Sequence, residues 1–275
     1  MAASASYTEK RDFAYEIKFL LPDSVADAAL AWARQHLSPD PHALGPTGDG
    51  YHITSIYFDT PSLDVFHRVG SYGRCKYRVR RYGSEEAIFL ERKLKTRGLV
   101  GKRRSRIAVE QIANLAGTEP DESWIGYWFH RRLIARELQP ICQIAYQRIA
   151  RVGLSDNGPI RFTVDRQIVA SLHTGLCFDD SGVGKIFLSG QSILELKFRQ
   201  TMPEIYTKLI HELSLTPHAV SKYRLTIQSF LPEEAEKAEP AMKDSRNGSA
   251  VHPAPNGQIQ STTRNIVALP ERNHA

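Results

Sequence analysis

Several stretches of this 275-residue sequence carry charged residues at every second position, and most of those charges are Lys or Arg. Glu16 and Lys18 alternate with Ile17, Phe19 and Leu21. Lys76, Arg78 and Arg80 fall on one parity, as do Lys102, Arg104 and Arg106. Glu91, Lys93 and Lys95 stand opposite Ile88, Leu90 and Leu94. Further on, Tyr146 with Arg148, Arg161 with Thr163 and Asp165, and Glu195 with Lys197 and Arg199 repeat the pattern. Residues two apart in a strand share a face, so each stretch presents a charged face and an apolar one. Arg binds phosphate as a two-pronged fork and Lys as a point charge. The carboxylates Glu16, Glu91 and Glu195, with Asp165, are hard oxygen ligands of the kind that hold Mg²⁺ or Mn²⁺ jointly with substrate phosphates. Together these residue types suit a metal-bound triphosphate.

An ordinary solvated strand face would also alternate, and each Glu also reads as a salt-bridge partner of a nearby Arg. The repetition argues otherwise. A solvated face draws on Thr, Ser and mixed polar residues, and like charges facing each other across a ladder repel. So many cations on one parity become reasonable when they converge on something strongly negative.

The elements that must position these residues are legible from period and punctuation. Strands are expected over Glu16–Leu21, His52–Asp59, Cys75–Tyr82, Ile88–Lys95, Lys102–Val109, Ile141–Val152, Ile160–Val169 and Ser192–Arg199. That is eight, mostly hairpin-connected. Closure would hide the edges and place one face of every strand inside. The fold class is therefore α+β, mainly antiparallel β: an eight-stranded closed tunnel barrel with helices packed outside. Covering helices are expected near Val25–Leu37, Ser123–Glu137 and Pro203–Leu213, with a shorter helical stretch at Gln111–Ala116 and a last segment over Ser221–Phe230. Ser38–Gly50 reads as a loop.

Composition sets the class. Hydrophobic residues make up 41% and charged residues 24%, which suits a globular chain with material for a core. The net charge is +6, and the stretch from Glu233 onward carries slightly more acid than base, leaving the body a little more basic still. That stretch has no apolar period, so residues 232–275 read as a disordered tail, 14–231 as the domain and 1–13 as an N-terminal extension. Three scattered cysteines indicate neither disulfides nor zinc, and a reducing, cytoplasmic setting is expected. No signal peptide or transmembrane segment is visible. The ten histidines have no ligand spacing, and no Walker or GxGxxG loop occurs.

The segments YEIKF (from Tyr15), TSIYFDT (from Thr54), KYRVRRYG (from Lys76), LERK (from Leu90), KRR (from Lys102), YQRIA (from Tyr146), RFTVD (from Arg161), ILELK (from Ile193) and SKY (from Ser221) follow one another in order. Together they resemble the VTC domain, the polyphosphate polymerase domain of the triphosphate tunnel metalloenzyme superfamily. The resemblance implies an eight-stranded tunnel in which the γ-phosphate of ATP passes to a polyphosphate chain with a divalent metal. It implies that Lys18, Arg78, Arg80, Lys93, Lys102, Arg104, Arg148, Arg161, Lys197 and Lys222 bind phosphates, with Arg78, Arg80, Arg148 and Arg161 on the nucleotide. Tyr146 would hydrogen-bond a phosphate oxygen. Glu195 would be the chief ligand of Mn²⁺ or Mg²⁺, with Glu91 assisting. The related CYTH branch opens on ExExK, whereas here Ala14 stands at the first position. No phosphate-sensing SPX domain fits before the first strand, and a membrane partner is left open.

The expected partners are ATP and inorganic polyphosphate. A hydrolase acting on triphosphate or short polyphosphate is the nearest rival, because water can replace the acceptor. A non-catalytic polyphosphate-binding module is another. RNA is not expected, since stacking platforms would need aromatics interleaved with the cations, and the inward set holds mainly Tyr146 and Phe89.

Overall fold

A computed structural model describes residues 13–43, 49–96 and 98–231. Among the described residues ten strands and five α-helices follow in order: β1 (Phe13–Pro22), α1 (Asp23–His36), β2 (Ser38–Pro39), β3 (Gly50–Asp59), α2 (Asp64–His67), β4 (Cys75–Tyr82), β5 (Ala87–Thr96), β6 (Leu99–Ala108), α3 (Tyr127–Ala135), β7 (Gln139–Ser155), β8 (Gly158–Leu172), β9 (Lys185–Ile186), β10 (Gln191–Phe198), α4 (Glu204–Glu212) and α5 (Lys222–Phe230). Eight long strands form an antiparallel ring in the order β7, β3, β4, β5, β6, β1, β10, β8, and a β7–β8 ladder closes it. The short β2 and β9 attach to its rim on β7 and β8.

Period-two patterning accounts for both faces of the ring. Phe19 and Leu21 of β1, Phe162 and Val164 of β8, and Leu194 and Leu196 of β10 point outward, where α1 covers them with Ala26, Ala29, Leu30 and Ala33. The small alanines let the helix lie close against the sheet. Tyr206 and Leu209 of α4 complete that cluster. On the opposite side Phe129 of α3 meets Phe58 and Tyr77 edge-on, with ring centroids 5.8 Å apart in each case. The outer surface of the sheet is thus a core, and the inner surface is left to the charges.

The structure adds to or departs from the sequence expectations in six places. The strands β7 and β8 run to 17 and 15 residues, because Gly153 and Gly158 lie within the hairpin ladder and the turn is only Asp156 and Asn157. Ser38–Gly50 is not all loop, since it contains β2 and the first residue of β3. Val109–Ala116 is a 3₁₀ helix. After β3 the chain forms α2 and a 3₁₀ turn at Tyr72–Arg74 instead of a plain connection. Most consequentially, the last segment, Ser221–Phe230, which was given no place relative to the sheet, contains α5, whose first turn enters one end of the ring. Phe13, expected in the N-terminal extension, opens β1. The remainder of that extension and the expected tail lie outside the described residues.

Candidate active site in the tunnel

The inner face of the ring encloses a cavity of about 1860 Å³. Its wall contains Lys18 (β1), Arg78 and Arg80 (β4), Lys93 (β5), Lys102 and Arg104 (β6), Tyr146 and Arg148 (β7), Arg161 (β8), Glu195 and Lys197 (β10) and Lys222 (α5). The ladder registers explain how they converge. Lys18 faces Glu195 and Glu16 faces Lys197 across β1 and β10; Arg78 faces Glu91 and Arg80 faces Phe89 across β4 and β5; Lys93 faces Lys102 across β5 and β6. A bulge in the β7–β8 ladder between Ala145 and Gln147 lies beside Tyr146, a device that re-aims side chains next to sites. Exposed lining residues occur at both ends: Ser84, Glu85 and Arg106 at one, Arg68, Arg74 and Lys95 at the other. The cavity lining therefore reaches both rims of the ring.

Each carboxylate organises its own group of cations. Glu91 is 1% exposed and does not itself line the cavity wall. One of its oxygens meets Arg78 at 2.7 Å and Arg80 at 4.0 Å, and the other meets Lys102 at 2.5 Å and Arg104 at 3.5 Å. Burial works against its ionisation, but Lys102, Arg78 and Arg80 hold it well below the usual carboxylate range. Asp165 takes Arg148 bidentately at 2.6 and 2.7 Å and also accepts from Lys222. Against the same opposition from burial, Arg148 and Lys222 keep it ionised. Arg161 pairs with Asp40 at 2.6 Å and donates to the Tyr51 hydroxyl at 2.8 Å. Arg80 donates to the Ser55 hydroxyl at 3.1 Å and the Tyr146 hydroxyl at 2.9 Å.

Glu195 and Glu16 differ from these in facing the cavity. Glu195 meets Lys18 at 3.1 Å and Lys197 at 2.9 Å, while Glu16 meets Lys93 at 2.6 Å and shares Lys197 at 3.4 Å. Burial opposes the charge on Glu195, yet Lys197, Lys18 and Lys93 hold its pKa well down. Burial and the neighbouring Glu195 both oppose the charge on Glu16, and Lys93 and Lys197 outweigh them. Two ionised hard-oxygen ligands therefore sit side by side. Among the described residues no group of three or more His, Cys, Asp or Glu side chains forms a self-sufficient metal cage. Such a donor set fits a small divalent cation completed by substrate phosphate oxygens. Glu91, expected beside Glu195, is instead surrounded by four cations away from the cavity wall, and Glu16 is the carboxylate placed next to Glu195.

The entrance of α5 into the ring has a structural cause. Asp59, fully buried at the end of β3, accepts from the backbone N–H of Thr60 at 2.7 Å, Val65 at 2.8 Å and Phe66 at 3.0 Å, and from the Tyr223 hydroxyl. The Tyr223 ring stacks on Tyr57 at 5.5 Å, and Arg224 donates to the Phe66 carbonyl. Lys222 and Ser221 are thereby fixed at the tunnel wall. Sequence reading carried Lys222 over from SKY. The resemblance carried no role to Lys76, Glu16 or Ser221, although the parity of Lys76 and Glu16 already placed them inside and Glu16 already stood among the candidate oxygen ligands.

A family model described as the VTC domain matches residues 13–231. This chain belongs to the VTC domain family. No curated protein matches this VTC domain in sequence. Among solved structures it is similar to a putative adenylyl cyclase from Hippeastrum, described as having a dominant triphosphatase activity. The identity is 16%, the match covers 80% of this chain and 98% of that one, and the TM-score is 0.46. A putative adenylate cyclase from Bacillus halodurans is similar at 13% identity over 81% of this chain and 99% of that one, with a TM-score of 0.48. Among the described residues of the VTC domain, no helix is long and apolar enough to cross a membrane.

The crowding of cations has a pH signature. Burial, followed by the charge of Lys18, pushes Lys93 down to about 7, and burial pushes Lys102 down to about 8 despite Glu91. A bound polyanion restores the charged forms. Binding of inorganic tripolyphosphate without metal should therefore take up protons at pH 8, and affinity should fall as pH rises from about 7 to 9 as these amines lose their protons. Calorimetry in two buffers of different ionisation enthalpy checks this: identical apparent enthalpies in both buffers would contradict it.

Proposed function

We propose that this VTC domain is a polyphosphate polymerase that transfers the γ-phosphate of ATP to a growing polyphosphate chain. The observation that carries the reading is a cation-lined cavity whose lining reaches both rims of the ring, which suits a donor and a long polyanion sharing one channel. In the transfer, a terminal oxygen of the acceptor chain forms a bond to the γ-phosphorus. The bond from that phosphorus to the β–γ bridging oxygen breaks, and ADP leaves with the electron pair. Such transfers have loose transition states and depend on positioning and charge neutralisation more than on covalent help.

The side chains divide that work by placement. Arg78, Arg80, Arg148 and Arg161 hold the donor phosphates, already oriented by Glu91, Tyr146, Asp165 and Asp40 respectively. Lys18, Lys93, Lys102 and Lys222 guide the acceptor chain and stabilise the leaving diphosphate, with Arg104 and Lys197 adding charge to the same wall. Tyr146 contributes its hydroxyl proton to a phosphate oxygen while accepting from Arg80. Mn²⁺ or Mg²⁺ would be held by Glu195, and when bound would neutralise charge on the donor phosphates. Glu91 serves the reaction by holding four cations in place. The partners are ATP and inorganic polyphosphate, and the cytoplasm is the compartment that supplies them. The three free cysteines accord with a reducing environment.

Hydrolysis is the second reading, because an open channel also admits water. Incubating the purified protein with ATP and Mn²⁺ and resolving products by size separates the two. Long chains are expected. Free phosphate without chains would make it a hydrolase, and unchanged ATP would overturn both.

A further inference from the structure

The cations of the cavity wall described above face carboxylates: Lys18 meets Glu195, Lys93 meets Glu16, and Lys222 meets Asp165. Lys76 does not follow the pattern. Its Nζ donates to the Ser221 hydroxyl at 2.6 Å, and among the described residues no ion pair joins it to a carboxylate. Burial, and then Lys18 of β1 across the cavity, Lys93 on the neighbouring strand β5, Arg78 on its own strand and Arg68 after α2, all push its amine well below the ordinary lysine range. An ammonium group set among four like charges is destabilised until something negative arrives. Lys18 also reaches the Val220 carbonyl at 3.4 Å, so two lysines converge on the segment that opens α5. The cavity reaches this corner, since Lys76, Val220 and Ser221 all line it.

We propose that Lys76 and Ser221 form an anion subsite at the α5 end of the tunnel, one step beyond Lys18 from Glu195, which takes a further phosphate of the bound chain. This rests on the reading of the tunnel as a phosphate channel. The subsite makes the tunnel discriminate by length: a diphosphate held near Glu195 and Lys18 does not need it, whereas a longer chain reaches it.

The test is calorimetric binding of inorganic diphosphate and tripolyphosphate, without added metal, to the full chain and to Lys76→Met and Lys76→Arg. Loss of a charge-assisted phosphate contact should weaken tripolyphosphate by roughly 10- to 100-fold in Lys76→Met. Diphosphate should change by no more than about threefold, as expected for a more distant, screened charge. Lys76→Arg should recover most of the tripolyphosphate affinity, since it keeps the charge, and thermal melting should show both variants folded. Equal affinity for tripolyphosphate in Lys76→Met and wild type overturns the subsite, and equal losses for both ligands overturn the length discrimination. A wild type that binds neither ligand overturns the phosphate-channel reading itself.

Discussion

Replacing Glu195 with Gln is expected to lower metal-dependent turnover by roughly 10³-fold, the size of effect that goes with losing several kcal/mol of transition-state charge stabilisation, while leaving tripolyphosphate binding intact or tighter. The two halves of that expectation come from one arrangement. Glu195 is ionised, faces the cavity and lies beside Glu16, so its loss removes a hard ligand. Its partners Lys18 and Lys197 remain, and Lys197 keeps Glu16, so the wall becomes more positive by one charge. Steady-state rates across a Mn²⁺ titration, set beside metal-free binding isotherms, measure both. Unchanged turnover in Glu195→Gln would place the metal elsewhere. A parallel loss of anion binding would mean that Glu195 organises the wall and holds no metal.

Glu91→Gln should be the most destabilising single substitution in the tunnel. It would leave Arg78, Arg80, Lys102 and Arg104 facing one another without the buried charge that now joins them. Breaking one side of a buried ion cluster costs roughly 3–5 kcal/mol. At roughly 2–4 °C per kcal/mol for a domain of this size, melting should fall by about 10 °C. Tripolyphosphate brings negative charge to the same cations, so the ligand should raise the variant's melting temperature by more than the wild type's. A variant that melts with the wild type would show that the four cations are balanced by something other than Glu91.

The barrel was legible because its signal is repetitive. Alternation at Glu16–Leu21, Ile88–Lys95 and Ile160–Val169 fixes which side chains share a face, and eight such segments leave few arrangements that hide their edges. The helices over the outer face were legible for the same reason. What the sequence did not disclose are relations between elements. Nothing in Lys222–Phe230 distinguishes a helix that covers a sheet from one that enters its open end, because Tyr223 and Ile227 would be apolar anchors in either case. Asp59 reads as the polar end of a strand until the fold brings Thr60, Val65, Phe66 and Tyr223 around it. Glu91 and Glu195 look alike in sequence, each followed by a lysine two positions on. Their difference arises only from which neighbours close over them: four cations on one, and an open cavity with a second carboxylate on the other.

The seam where β1 meets β10 has a temporal consequence. Lys18 and Glu195 pair across this ladder although 177 positions separate them in the chain. Contacts between such remote segments form late and slowly, since a long loop must be ordered before they contribute anything. During synthesis the ring stays a sheet with two raw edges until β10 has emerged, and α5 comes later still. Polyanions present at that stage would meet an array of lysines and arginines not yet folded around them, so the ligand proposed for the tunnel is also the molecule best placed to assist, or to derail, its final closure.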